Sequence, residues 1–224
     1  MVERTEPQNR DWAAVDDYIA AHLLGEDPAL AGALAANAAA GLPDIDVSPP
    51  QGRMLELMAR MTGARRILEV GTLGGYSTIC LARALPEGGR LVTLEIDPHH
   101  AEVARRNLKA AGVADKVEVI VGPARDTLAT LQGAFDFIFI DADKPSNALY
   151  LKEALRLSRP GTAILVDNVV REGAVLDPGS DDPRVSGTRA LFEAIAAEPR
   201  LSATAVQTVG AKKWDGFVLA LVGA

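Results

Sequence analysis

The sequence predicts an α/β fold: an open, doubly wound, mostly parallel seven-stranded sheet with an antiparallel C-terminal strand and extra N-terminal helices. Three observations predict it. Uninterrupted apolar runs such as FIFI (137–140) and AILV (163–166) suit strands buried on both faces, as in a parallel sheet covered by helices. From Arg65 onward these runs alternate with helical segments, and successive βα units wind right-handed. The final two runs, separated only by GAKK (210–213), read as a hairpin that brings in an antiparallel strand.

The elements follow in order. Residues 11–24 and 28–39 are rich in alanine and leucine and read as two helices, the second capped by Asp27 with Pro28 at its first position. Their apolar surplus (Leu23, Leu24, Leu30, Leu34) is expected to pack into the core, with covering of the site or of a second subunit as the other uses. GLPDIDVSPPQG (41–52) is a loop by its turn residues, and Ser48 caps a helix running from Pro49 or Pro50 to about Met61. Strands are then expected at RRILEV, RLVTLEI, KVEVIVG, FDFIFID, TAILVDN, LSATAVQTV and WDGFVLALV. Helices are expected at GGYSTICLARAL, PHHAEVARRNLKAAG, RDTLATL, SNALYLKEALRL and GTRALFEAIAAE. Asp97, followed by Pro98, is an N-cap and nothing more. Between Gly173 and Gly187 the composition reads as a long loop of the kind that covers a pocket.

Composition narrows the function. A chain of 224 residues, 48% hydrophobic, suits one domain with a full-sized core. The net charge of −7 argues against nucleic-acid and anionic-membrane partners, because no basic stripe is present to neutralise phosphates. Cys80 is the single cysteine, set in TICLARAL on an expected buried helix face, so no disulfide framework exists. The polar start MVERTEPQNRDW carries no charged-then-apolar leader, and no apolar run approaches about 18 residues. The expectation is a cytoplasmic protein with a small-molecule partner.

The run LEVGTLGGYS (68–77) carries the first chemical signal. An apolar strand enters a glycine turn, where Gly71, Gly74 and Gly75 let backbone amides approach a ligand, and a helix opens near Gly75. A dinucleotide fingerprint needs glycine at 71, 73 and 76; Leu73 and Tyr76 stand there instead, so bound NAD is not expected. Glu69, inside the strand, needs hydrogen-bond donors to offset its burial; the turn's own amides are one source, and orienting a ligand ammonium through them is its other use. Glu95 ends the next strand, where its carboxylate can accept from the two hydroxyls of an adenosine ribose. Ser77 either bonds the cofactor or caps the first turn. Turn and acids together point to S-adenosylmethionine.

A second signal lies on the same sheet edge. Asp141 ends one strand, and Asp167 with Asn168 ends the next. Three oxygen donors without histidine or cysteine select a hard cation: Mg2+, with Mn2+ or Ca2+ as substitutes. The other use of these aspartates is to cap the helices that follow. Lys144, three residues past Asp141, can reach the open face of such an ion, and a neighbouring dication with partial desolvation favours its neutral, basic form. Its other use is an ion pair with Asp141 or Asp143.

Assembled, LEVGTLGGYS, TLEID, FIDADK with Tyr150 beyond it, and VDNVVREG resemble the cation-dependent class I O-methyltransferases, the group of catechol and caffeoyl-CoA O-methyltransferases. The resemblance runs from about residue 45 to the C-terminus. It implies one domain over 1–224, with 1–10 a flexible tail, 11–62 N-terminal helices and 65–222 a Rossmann-like core. It places Val47, Glu69, Gly71, Thr72, Ser77 and Glu95 on S-adenosylmethionine, Ala124 beside the adenine, and Asp141 against both cofactor and metal. Asp141, Asp167 and Asn168 match the metal ligands and Lys144 the base, so Lys144 and Asp141 are the expected catalytic pair. Many bacterial and plant members carry tyrosine three residues beyond the lysine, where this chain has Asn147. The implied reaction is methyl transfer to one hydroxyl of a vicinal dihydroxyphenyl substrate, by an enzyme whose relatives are often homodimers. Other readings are a metal-independent methyltransferase, an adenosine-cofactor sensing module and, more distantly, a dehydrogenase.

Overall fold

The computed structural model describes residues 11–223, so the expected tail at 1–10 lies outside the described residues. Two N-terminal helices come first: α1 (Trp12–Ile19), prolonged by a π-helical turn to Leu24, and α2 (Pro28–Ala39). Then come α3 (Pro49–Met61), β1 (Arg66–Val70), α4 (Tyr76–Ala84), β2 (Arg90–Glu95), α5 (Pro98–Ala110), β3 (Val117–Val121) and α6 (Ala124–Thr130). The chain finishes with β4 (Phe137–Ile140), α7 (Asn147–Arg156), β5 (Ala163–Asp167), α8 (Pro183–Ala196), β6 (Leu201–Gly210) and β7 (Lys213–Val222). The seven strands form one sheet in the order β3-β2-β1-β4-β5-β7-β6. β1 to β5 pair in parallel, and β7 runs antiparallel to both β5 and β6.

Side-chain alternation explains why the strands read as continuous apolar runs. Ile67, Phe137 and Phe139 point into the core layer shared with α2, α3, α4 and α5. Their neighbours Leu68, Val70, Ile138 and Ile140 point into the opposite layer, shared with α6, α7 and α8. Each such fully buried side chain contributes about 1.5–3 kcal/mol, so polar residues at these positions would be costly. β4 is therefore apolar on both faces, as a central strand of a doubly wound sheet requires.

Caps set the helix starts. Asp27 accepts from the Leu30 amide, Ser48 from Gln51 and Asp97 from His99, each just ahead of a proline that opens its helix. The same device corrects one expectation. The segment 173–187 is not a loop throughout: a 3-10 turn spans Arg171–Leu176, and α8 begins at Pro183 behind an Asp182 cap. A second expectation, that the N-terminal leucines pack into the core, holds only in part. Leu30 packs against it, whereas Leu23 is 76% and Leu34 36% exposed, and Leu24 lines a cleft of about 210 Å³ between α2, α3 and α4. α1 buries no residue. No described helix is long and apolar enough to cross a membrane.

Candidate active site

Strand order reverses between β1 and β4, and the crevice beyond their carboxyl ends is where open α/β sheets bind ligands. Register fixes what stands there. The last ladder pairs are Val70↔Leu94, Val70↔Ile140 and Ile140↔Val166. One residue further on, Glu95, Gly71, Asp141 and Asp167 therefore form a single row across β2, β1, β4 and β5. At about 4.8 Å per strand this row spans about 14 Å. Residues far apart in sequence are thus brought together by strand pairing alone.

The glycine turn is shaped by its neighbours. Gly71 has φ +99°, and a Cβ there would lie 2.2 Å from the Asp141 carbonyl oxygen. A Cβ on Gly74 would lie 1.8 Å from Asn37 Oδ1. That asparagine belongs to a buried chain of polar contacts. Asn37 donates to Asp46 at 3.0 Å, while Asn107 donates to Asn37 at 3.0 Å and to the Gly74 carbonyl at 2.8 Å. The network ties α2 and α5 to the turn and to the loop that carries Val47, which is itself buried. Sequence reasoning missed it; the available signal was an asparagine inside the alanine-rich run LAANAAA.

The two acids exchange the roles expected of their donors. Glu69 accepts from the hydroxyls of Ser77 (2.6 Å), Thr78 (2.5 Å) and Thr93 (2.7 Å) rather than from the turn amides. Burial pushes its carboxyl up to about 7 against the opposing pull of those three donors. Ser77 is thereby committed to Glu69. The turn amides of Thr72 (3.2 Å) and Leu73 (2.8 Å) go instead to Oε2 of Glu95, whose Oε1 takes the Asp97 amide at 3.0 Å. The Thr72 hydroxyl lies 2.6 Å from that of Thr93, extending the Glu69 cluster to the turn. Ala124 opens α6, the helix that follows β3, the next strand outward.

Beyond β4 and β5 the charges converge. Lys144 Nζ lies 2.6 Å from Asp141 Oδ1; the lysine is buried and the aspartate half-buried. Asp143 is left to the Tyr150 hydroxyl. Asp167 is 4% exposed; burial and then the neighbouring Asp141 charge push its carboxyl up to about 7. Its Oδ1 accepts the Asn168 amide at 2.8 Å and its Oδ2 the Gln51 side-chain amide at 2.5 Å. Neither Asp141 nor Asp167 caps a following helix among these bonds. Asn168 holds φ +57°, a left-handed conformation that costs free energy and that Asp215 supports by accepting the Val170 (2.9 Å) and Arg171 (3.0 Å) amides. A Cβ on Gly187 would lie 2.4 Å from the Lys144 carbonyl, so α8 packs directly on this turn. Asn147 is fully buried, and neither of its amide atoms has a partner among the described residues.

Known proteins share this fold. The sequence model of the family described as O-methyltransferase matches residues 24–221. The chain is 57% identical over 209 residues to a catechol O-methyltransferase of Mycobacterium tuberculosis, covering 93% of this chain and 94% of the relative. An O-methyltransferase of Bacillus cereus solved in complex with SAH superposes with a TM-score of 0.93 at 56% identity, covering 94% of this chain and 98% of that one. The O-methyltransferase TomG of Streptomyces achromogenes, solved in complex with SAM, superposes at 0.92 with 51% identity, covering 95% and 97%. On this fold, this sheet-edge geometry and these relatives, the chain belongs to the O-methyltransferase family as a class I, S-adenosylmethionine-dependent enzyme.

Proposed function

We propose that this enzyme methylates one hydroxyl of a vicinal dihydroxyphenyl compound, with a divalent cation held by Asp141, Asp167 and Asn168 and with Lys144 as base. The observation that carries the reading is the pairing of two carboxylates, Asp141 and Asp167, at adjacent strand ends, with the second buried and its proton affinity raised by that burial and then by the first. Like charges placed side by side out of water are costly, and a cation between them removes that cost. The donor set fits the ion: two carboxylates and an amide carbonyl, all oxygen, suit Mg2+ and its hard substitutes Mn2+ and Ca2+. When bound, such an ion supplies Lewis acidity that favours ionisation of the acceptor hydroxyl.

The chain's own residues supply the rest. Val47, Glu69, Gly71, Thr72, Ser77, Glu95 and Ala124 are assigned to the S-adenosylmethionine side of the row. Gly71 contributes a surface without a side chain, and Glu69 acts through the hydroxyls it gathers. Asp141 sits between the two halves, next to Gly71 on one side and Asp167 on the other. Lys144 gives its ammonium proton to solvent as its pair with Asp141 opens, and the neutral amine then takes the proton of the acceptor hydroxyl. The oxygen then forms its bond to the methyl carbon as the carbon–sulfur bond breaks, leaving S-adenosylhomocysteine. The protein's largest contribution is holding the reacting atoms in line.

The name of the Mycobacterium tuberculosis relative supports a catechol as acceptor. One observation favours a metal-independent variant of the reaction: the Lys144 ammonium already neutralises part of the acidic pair. Labelled methyl transfer to catechol, resorcinol and phenol tests the acceptor. Product is expected with the 1,2-diol alone, and equal rates on all three would defeat the 1,2-diol assignment.

A further inference from the structure

We infer that Gln51 is the positioning residue for Asp167, orienting its carboxylate for the cation. The inference rests on the cation reading above. Asp167 has two oxygens and each holds one neutral donor: the Asn168 amide at 2.8 Å on Oδ1 and the Gln51 Nε2 at 2.5 Å on Oδ2. The first belongs to the next residue of the chain and constrains little beyond the local turn. The second comes from another layer of the fold, 116 residues away. It is the contact that fixes the plane of the carboxylate against rotation about its own side chain.

The place of Gln51 is itself determined by packing. It stands in the first turn of α3, where its backbone amide donates to the Ser48 cap at 3.4 Å behind Pro49 and Pro50. The next residue, Gly52, fits closely against α4: a Cβ there would lie 2.9 Å from Cys80 Sγ and 3.0 Å from the Tyr76 ring. α3 therefore cannot slide or turn without losing a cap or striking α4. A rigidly placed amide is suited to hold a carboxylate that must present its remaining lone pairs to an ion.

The chemistry of the residue matters as much as its place. A neutral amide donor satisfies one lone pair of Asp167 and leaves its negative charge available to a cation. The same helix cap lies one residue past Val47, so Gln51 also links the cofactor-side loop to the metal side of the row.

Binding of Mn2+, followed by the electron paramagnetic resonance of the free ion, provides a readout independent of turnover. Wild type is expected to bind one Mn2+. Gln51→Leu, which keeps the volume and removes the donor, is expected to weaken it about 10- to 100-fold, the range found for outer-shell partners of metal ligands. S-adenosylmethionine affinity and melting temperature are expected to stay close to wild type. Gln51→Asn, which keeps the amide but falls one methylene short, is expected to weaken Mn2+ as well, and it carries the test should the leucine variant not fold. If wild type binds Mn2+ and the folded variants bind it equally well, Gln51 does not position Asp167. The same conclusion follows if Mn2+ and S-adenosylmethionine affinities fall in parallel, since the role is then structural. If wild type itself binds no Mn2+, it is the cation site that fails.

Discussion

Lys144 Nζ lies 2.6 Å from Asp141 Oδ1, so the proposed base is held at rest by the carboxylate that it must release in order to act. The contact is part-buried, and α8 closes over the backbone of the same turn through Gly187. Base and ligand are thus coupled by position: whatever neutralises Asp141 from its other side loosens its hold on Lys144.

Lys144→Ala is expected to lower kcat about 10²- to 10⁴-fold, the contribution of a positioned general base. S-adenosylmethionine affinity, measured by calorimetry, should change little. An unaltered kcat removes Lys144 from the reaction.

Asp167→Asn separates the site from the fold. It deletes one of two adjacent charges, so Mn2+ affinity should fall steeply. The metal-free protein should melt no lower than wild type, because repulsion from Asp141 is relieved. A variant that unfolds shows instead that Asp167 serves the architecture.

Glu69 governs a pH dependence. Its carboxyl is raised from 4.5 to about 7 by burial, so the neutral form is the stable one in the folded protein. The stability this provides is complete below about pH 4.5 and is lost as pH rises through 7. The gap of about 2.5 pH units corresponds to roughly 3 kcal/mol. Urea unfolding of the metal-free protein between pH 4.5 and 8 should show wild type losing about that much more stability than Glu69→Gln. Parallel curves would mean that the three hydroxyl donors outweigh burial.

Gly71 and Gly112 form a matched pair for testing the turn. Both have positive φ, but a Cβ on Gly112 meets nothing within 4 Å, whereas one on Gly71 meets the Asp141 carbonyl at 2.2 Å. Gly112→Ala should cost about 1 kcal/mol from backbone strain alone. Gly71→Ala should cost at least twice that and abolish S-adenosylmethionine binding. Similar melting temperatures for the two variants would deny the turn its close contact.

Much of this arrangement was legible in the residues. The strands were readable because burial on both faces leaves unbroken apolar runs, and the meeting of Asp141 with Asp167 followed from parallel strands ending on one edge. The start of α8 was missed although Asp182-Pro183 repeats the cap seen at Asp27-Pro28 and Asp97-Pro98; the turn-forming residues around it masked the signal. The donors of Glu69 were misread because strand alternation does not say which hydroxyl or amide a buried acid will face. Gln51 was invisible for a different reason. A polar residue in the first turn of a helix looks like any solvated one until packing brings it against a strand end 116 residues away.

The cation proposed between the acidic pair at the ends of β4 and β5 is required for methyl transfer. Its most direct test is labelled methyl transfer to catechol by enzyme dialysed against EDTA, assayed before and after Mg2+ is restored, with S-adenosylmethionine binding measured in parallel. Turnover should vanish with the metal and return with it while the cofactor still binds. Undiminished turnover in the chelator would contradict the claim.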